Sequence, residues 1–146
     1  MSAPLSTLPF LGAALLLAGC APSQNQPSDA AALTPKQLAT IEATIEKQLG
    51  NKIPGEPQKC LQNFRTNDMI RASDSMLIYR VSSKLAYRND LRGSCPGLAR
   101  DNDMMVIRQF GSSTCAGDFF HLVDRSSGIR GATCVFGDFI PYRTEK

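Results

Sequence analysis

The sequence predicts a mainly β domain preceded by one helix, an α+β chain built on a small antiparallel sheet. Three observations predict this class. Five to seven short runs of β-branched, aliphatic and aromatic residues are separated by turn residues at intervals of about 8–12 residues. Four cysteines are spread through the same region, and one segment with helical periodicity precedes it. The pattern is typical of a barrel-like sheet or a sandwich, and 146 residues suffice for one such domain.

Residues 1–19 are predicted to be a signal peptide. Leu8–Ala18 is a continuous apolar run, about 16 Å long as a helix and therefore about half the thickness of a bilayer core. That length suits the hydrophobic region of a signal peptide better than a membrane span. No Lys or Arg precedes the run, so the chain amine alone supplies positive charge there. The alternative is a buried helix, which Pro9 and Gly12 disfavour.

The apolar run ends in Leu17-Ala18-Gly19-Cys20, which resembles the bacterial lipobox. The resemblance implies that the Cys20 thiol is acylated and that the mature chain begins there with three acyl chains of the palmitate kind. Two or more chains anchor a protein stably, whereas one binds only marginally. Ala21, rather than Asp, follows the cysteine, and by the same resemblance this favours the outer membrane, facing the periplasm. We therefore expect a lipoprotein held at the membrane of the cell envelope through Cys20.

Residues 20–33 are predicted to be the lipidated cysteine and a disordered tether. Ala21–Ala32 is rich in Pro, Ser, Gln and Ala and holds no large apolar residue. Such a segment cannot bury enough surface to fold. A dozen flexible residues would hold the domain about 20 Å from the membrane.

An amphipathic helix is predicted over residues 34–50. Thr34 suits the N-cap, Pro35 the first turn and Gln37 the third position of a capping box. Gly50 is placed at the C-terminal stop. The apolar stripe of this helix consists of Leu38, Ile41, Ile45 and Leu49. Because one narrow apolar stripe can be buried by a single packing contact, we expect the helix to pack on its own domain. The alternative is a helix that binds a partner.

A disulfide-braced β domain is predicted over residues 56–143, after a linker at Asn51–Pro57. Period-2 alternation and turn residues at the ends identify its strands. The main strands are Ser75–Val81, Lys84–Arg88, Met104–Arg108, Phe119–Val123 and Thr133–Phe136, with Cys60–Phe64 and Met69–Arg71 as short edges.

The four cysteines of the β domain are predicted to form two disulfides, because an exported chain folds in an oxidising compartment. Metal ligation favours close C-x-x-C pairs, which the sequence lacks, so neither a metal nor a cofactor is expected. Three pairings are open. We favour Cys60–Cys134, which would join the first and last strands of a closing barrel, together with Cys95–Cys115 around the third strand.

Candidate catalytic residues are few. His121 is the sole histidine, and a Ser-His-Asp triad would need it to combine with Asp118 or Asp124 and a loop serine. No G-x-S-x-G motif is present. Asp101 and Asp103 are the best-spaced carboxylate pair, but we interpret them as a solvated loop. The sequence therefore predicts no catalytic site, and a hydrolase using His121 is kept as an alternative.

A short repeat follows two of the cysteines. Residues 115–119 read Cys-Ala-Gly-Asp-Phe and residues 134–139 read Cys-Val-Phe-Gly-Asp-Phe. Because Gly-Asp pairs form turns, we interpret the two segments as similar turns, each followed by an inward-packing Phe. The alternative is a duplicated ligand-binding loop.

The β region also carries a family resemblance. The residues concerned are Cys60-Leu61, Ile70, Leu77-Ile78-Tyr79, Tyr87, Leu91, Cys95-Pro96-Gly97-Leu98, Ile107, Cys115, Asp118, Cys134 and Phe139. This set resembles DUF6491, a family of uncharacterised exported proteobacterial proteins, over about Cys60 to Phe139. Its most specific piece is Cys-Pro-Gly-Leu. The resemblance indicates the class of protein and implies no particular activity.

Charge and composition narrow the classes of partner that we expect. The chain has 16 Lys and Arg against 13 Asp and Glu, and these charges form no basic stripe, so nucleic acid is not an expected partner. We expect a non-catalytic binding or structural domain whose partner is an envelope protein or glycan. An alternative is an inhibitor of a secreted enzyme such as lysozyme, although a basic lysozyme calls for an acidic inhibitor and this chain carries a net charge of +3.

Overall fold

The computed structural model describes residues 33–62, 68–100, 102–108 and 111–145. The predicted signal peptide, the lipid-attachment residue Cys20 and nearly all of the tether lie outside these ranges. Asp101, one member of the candidate carboxylate pair, also lies outside them.

One helix and ten strands form the described part of the chain. The helix α1 spans Pro35–Leu49. The strands are β1 (Ile53–Pro54), β2 (Cys60–Gln62), β3 (Asp68–Ser73), β4 (Met76–Ser82), β5 (Leu85–Asp90), β6 (Asp103–Ile107), β7 (Ser113–Cys115), β8 (Phe119–Asp124), β9 (Arg130–Val135) and β10 (Phe139–Arg143). The five main strands predicted from the sequence correspond to β4, β5, β6, β8 and β9, while β1, β7 and β10 were not predicted.

The strands form three antiparallel units. Five of them make one sheet in the order β1-β10-β5-β4-β3, three make a second sheet in the order β6-β8-β9, and β2 pairs with β7 in a short ribbon. The mainly β class is therefore confirmed. Of the two architectures that the sequence left open, packed open sheets are observed rather than a closed barrel.

The five-stranded sheet is the middle layer of the domain. In β4, Leu77 and Tyr79 belong to the core shared with the three-stranded sheet, whereas Ile78 on the other side belongs to a cluster with Leu49 of α1. Four consecutive residues of β4 are buried for this reason. The main core between the two sheets includes Tyr87, Phe120, Leu122, Phe136 and Phe139.

Helix α1 begins as predicted and docks mainly through its C-terminal half. The backbone N–H of Gln37 donates to Thr34 Oγ1 at 3.3 Å, and the backbone N–H of Thr34 donates to Gln37 Oε1 at 2.8 Å. Together these bonds form a complete capping box. Leu49 is buried, whereas Leu38 at the other end of the stripe is 45% exposed. Gly50 ends the helix in a right-handed conformation with φ of −57°. The last carbonyls of the helix accept two bonds from Lys52: its backbone N–H donates to the Leu49 carbonyl at 2.8 Å and its Nζ donates to the Gln48 carbonyl at 2.8 Å.

All four described cysteines are paired, but the favoured pairing was wrong. The structure joins Cys60 to Cys115 and Cys95 to Cys134. Cys60 and Cys115 lie opposite each other in the ribbon of β2 and β7, with Cα atoms 4.0 Å apart, and we name this bond the ribbon disulfide. Cys95 and Cys134 are both buried in the main core, and we name their bond the core disulfide. The closing barrel assumed for the favoured pairing does not form, because β10 rather than β9 completes the larger sheet.

Candidate functional site: the outer face of the three-stranded sheet

The three-stranded sheet has one face on the core and one face that no described element covers. Phe120, Leu122 and Cys134 point into the core, and the residues that alternate with them point the other way. We call the opposite side the outer face. Its members are Met104, Val106 and Arg108 on or just after β6, Phe119, His121 and Val123 on β8, and Arg130, Thr133 and Val135 on β9.

Strand register arranges the outer face in three rows. His121 stands at the centre, paired with Val106 on one side and Thr133 on the other. Val123 lies between Met104 and Arg130 in the next row. The third row places Phe119 beside Val135, and continuation of the β6 register brings Arg108 level with Phe119.

The middle of the outer face is apolar except for one hydrogen-bonded polar pair. His121 Nδ1 and Thr133 Oγ1 are 2.9 Å apart and hydrogen-bonded, and the Phe119 ring meets the imidazole edge-on at 5.6 Å between centroids. This bond satisfies one of the two imidazole nitrogens, so a partner that covers the face needs a hydrogen-bonding group for the other, Nε2.

The exposed apolar residues of this region lie together. Met104, Val106 and Phe119 are 44%, 42% and 45% exposed, respectively, and Val123 and Val135 continue the apolar surface between them. Scattered exposed apolar residues are normal on protein surfaces, whereas contiguous patches mark interaction sites. The exposed apolar residues of the outer face are contiguous in the strand register.

A β-bulge places Arg130 on the outer face. Between the pairs His121–Thr133 and Val123–Arg130, β8 advances by two residues and β9 by three. Regular alternation would put Arg130 on the same side as Ala132, which packs against the core. The extra residue in β9 turns Arg130 outward, as bulges commonly do.

The aspartates closest to this sheet point elsewhere or bond within the chain. Asp118 accepts the backbone N–H of Cys115 at 2.7 Å. Asp124 accepts bonds from the turn that follows β8: the Ser126 hydroxyl, then the Ser127 amide and hydroxyl, lower the pKa of this carboxyl to about 2. Asp103 lies on the core side of β6, with its carboxylate close to Gly97. The charged side chains on the outer face are therefore the two arginines, Arg108 and Arg130.

The predicted triad residues do not come together around His121. The Nδ1 of His121 is hydrogen-bonded to Thr133. The carboxylates of Asp118 and Asp124 accept backbone N–H groups in the turns before and after β8. His121 thus occupies the centre of the outer face. Within the described ranges, no group of three or more His, Cys, Asp or Glu side chains converges in a way that would hold a metal ion.

A groove with partly apolar walls lies between α1 and the edge of the five-stranded sheet and has a volume of about 470 Å³. Two of its polar side chains, Arg71 and Asp74, are hydrogen-bonded within the domain. Arg71 Nη1 donates to the carbonyls of Arg100 and Asp103 at 3.0 and 2.8 Å, and Asp74 Oδ1 accepts the Ala99 amide at 2.9 Å. These bonds hold the loop that contains Cys95 against β3, so we assign them a structural role.

In the described part of the chain, no helix has both the length and the apolar character needed to cross a bilayer.

Phe119 is the functional candidate that the sequence reasoning missed. The two Cys…Gly-Asp-Phe segments were expected to end in inward-packing rings, and Phe139 is indeed fully buried. Phe119 instead lies on the outer face, because Phe120 takes the core position of β8 and adjacent residues of a strand point to opposite sides. The alternating pattern of Phe119–Asp124 was the signal that could have identified it.

The described residues define a class: a small β protein of two sheets and a short ribbon, braced by two disulfides, with a helix on one side and an apolar face on the other that no described element covers. The chain belongs to DUF6491, a family of unknown function whose model matches residues 3–136. No curated protein and no solved structure matches the chain.

Proposed function

We propose that the protein is a lipid-anchored component of the bacterial cell envelope that binds another protein through its outer face. The observation that supports this most directly is the contiguous apolar surface of Met104, Val106 and Phe119, which the described domain leaves open. Burying such a surface against a partner is favourable by about 25 cal/mol per Å² of apolar area.

The composition of the outer face favours a protein partner over a glycan. Protein interfaces are enriched in aromatic residues, Met and Arg at the expense of Lys, Glu and Asp, and the outer face holds Phe119, Met104 and two arginines. Its central polar side chains, His121 and Thr133, are joined by a hydrogen bond, which leaves fewer polar atoms for a sugar than two unpaired side chains would.

Anchoring through Cys20 and an envelope location complete the proposal. Leu17-Ala18-Gly19-Cys20 supports the lipid attachment. The two disulfides suit an oxidising compartment, which lies outside the cytosol. Membrane attachment would confine the domain to a thin layer and raise the effective concentration of any partner on the same membrane.

The anchor is tested by replacing Cys20 with Ala and growing cells with a clickable fatty acid. The wild-type protein should be labelled and the Cys20→Ala protein should not, because the thiol is the acylated group. Labelling that persists in the variant would place the lipid elsewhere and contradict this part of the proposal.

Binding is tested by native electrophoresis of the gently solubilised envelope. The wild-type protein should migrate in a complex larger than its own mass, and a Val106→Ser/Phe119→Ser variant should lose that complex. A Leu38→Ser/Ile53→Ser variant is the matched control, because it removes two similarly exposed apolar side chains from other surfaces. A complex that survives in the outer-face variant, or is equally lost in the control, would contradict the proposed use of this face.

A further inference from the structure

We infer that the partner of the outer face is a different protein whose contact surface is apolar in the middle and carries carboxylates at two diagonally opposite positions. This inference rests on the proposed function and specifies it. It comes from the placement of Arg108 and Arg130 around the apolar rows and from the absence of acidic side chains among the described residues of that face.

The two arginines occupy opposite corners of the outer face. Arg108 follows β6 beside the row of Phe119, whereas Arg130 on β9 lies in the row of Met104 and Val123. The two strands flank β8, so their backbones are about 10 Å apart across the sheet, and the two rows are about 13 Å apart along it. The Cα atoms of the two arginines are therefore about 16 Å apart, and carboxylates that pair with them would lie on opposite sides of an apolar middle.

Neither arginine has an ion-pair partner in the described structure. The ion pairs found there join Lys59 to Asp138, Arg80 to Asp68 and Arg88 to Asp90, all away from the outer face. The nearby carboxylates of Asp118 and Asp124 accept bonds from neighbouring backbone amides. The outer face thus presents two guanidinium groups, which bind carboxylates in a bidentate manner.

The same charges argue against two other occupants. A second copy of the chain offers no acidic side chain among the described residues of this face to pair with the arginines, and it adds two more positive charges to the interface, which disfavours association. A basic lysozyme meets the same obstacle, which weighs against the inhibitor alternative.

A bilayer also fits poorly, because Met104, Val106 and Phe119 are each more than half covered by their own sheet and do not project for insertion.

The test is photocrosslinking in living cells with p-benzoylphenylalanine in place of Phe119, which keeps an aromatic side chain at the centre of the third row. Crosslinking is compared in three backgrounds of the full-length protein: unchanged, Arg108→Glu/Arg130→Glu, and Lys84→Glu/Arg143→Glu. The last pair is a matched control, since it changes the net charge equally at two exposed cations, one in the turn between β4 and β5 and one on β10. An Arg108→Gln/Arg130→Gln variant and thermal unfolding of each protein separate lost binding from lost folding.

The inference predicts an adduct with a different protein that falls about tenfold or more in the Arg108→Glu/Arg130→Glu background and stays unchanged in the control. Changing an acidic residue to Lys in the crosslinked region of the partner should then restore capture by the reversed variant. An adduct insensitive to the reversal would overturn the inference and leave the proposed function standing. An adduct with a second copy or with lipid would also overturn it, and no adduct from position 119 would contradict the proposed function itself.

Discussion

Phe119 and Phe120 are neighbours in β8 with opposite surroundings, and replacing each by Ala measures what each ring contributes. Phe120 is fully buried and its ring lies 4.9 Å from that of Phe136 between centroids. Phe119 is 45% exposed and contacts the edge of His121. The two substitutions remove the same atoms from the same strand, so a difference in stability reports the difference in burial.

Phe120→Ala should lower the free energy of unfolding by about 3–5 kcal/mol, because it removes a fully buried ring and leaves a cavity. Phe119→Ala should cost about 1 kcal/mol, since burial of a whole Phe side chain contributes about 1.5–3 kcal/mol and about half of this ring is already in water. Small domains are stable by about 5–15 kcal/mol in total, so only the first change approaches global unfolding.

Urea unfolding of the oxidised protein, followed by far-ultraviolet circular dichroism, measures both values. Thermal unfolding should agree, with a decrease in Tm of about 4–8 °C for each kcal/mol in a domain of this size. If Phe119→Ala cost as much as Phe120→Ala, the ring of Phe119 would be part of the core and the outer face would not exist as described. A loss below about 1 kcal/mol for Phe120→Ala would equally refute the two-layer core.

Three further predictions concern covalent bonds, pH and a buried hydroxyl. Under native conditions a mild thiol should reduce the ribbon disulfide first, because Cys60 is exposed while both sulfurs of the core disulfide are buried; simultaneous reduction, seen by alkylation and mass spectrometry, would contradict this. The lowered pKa of the Asp124 carboxyl, about 2 against about 3.9 when unfolded, contributes stability that is complete above about pH 4 and is lost as the pH falls toward 2. Asp124→Asn should therefore be less stable than wild type at neutral pH and lose less stability over that interval in acid-unfolding curves; parallel curves would argue against it. Tyr79→Phe should raise the free energy of unfolding by about 1 kcal/mol, since the buried Tyr79 hydroxyl has no hydrogen-bond partner in the described structure, and a loss of stability on urea unfolding would show that this oxygen is bonded.

The residue pattern within each segment was enough to predict the helix and five of the strands. The capping box at Thr34 and Gln37 is a chemical signal contained within four residues, and the structure confirms it. Strands such as β8 alternate clearly, so their faces are encoded within six residues. Strand β10 escaped prediction because Pro141 interrupts its pattern, yet the Pro141 carbonyl accepts the Gly55 amide at 2.7 Å and joins it to β1.

The disulfide pairing and the outer face depend on long-range contacts that the pattern does not contain. Cys115 belongs to a three-residue strand, too short for any periodicity, and its partner is set by pairing with β2. Alternation in β8 tells which side chains share a face, but the packing of the five-stranded sheet decides which face is covered. The outward turn of Arg130 arises from one extra residue in β9, which a period-2 pattern cannot reveal.

Oxidation of Met104 in the intact envelope tests the central claim most directly. In the purified protein, Met104 should react rapidly with hydroxyl radicals because it is 44% exposed, whereas Met76, only 9% exposed, should react slowly and serve as the internal reference. If a partner covers the outer face, the Met104 rate relative to Met76 should fall several-fold in the envelope and recover in the Val106→Ser/Phe119→Ser variant. An unchanged Met104 rate in the envelope would mean that the outer face faces solvent there and would contradict the account.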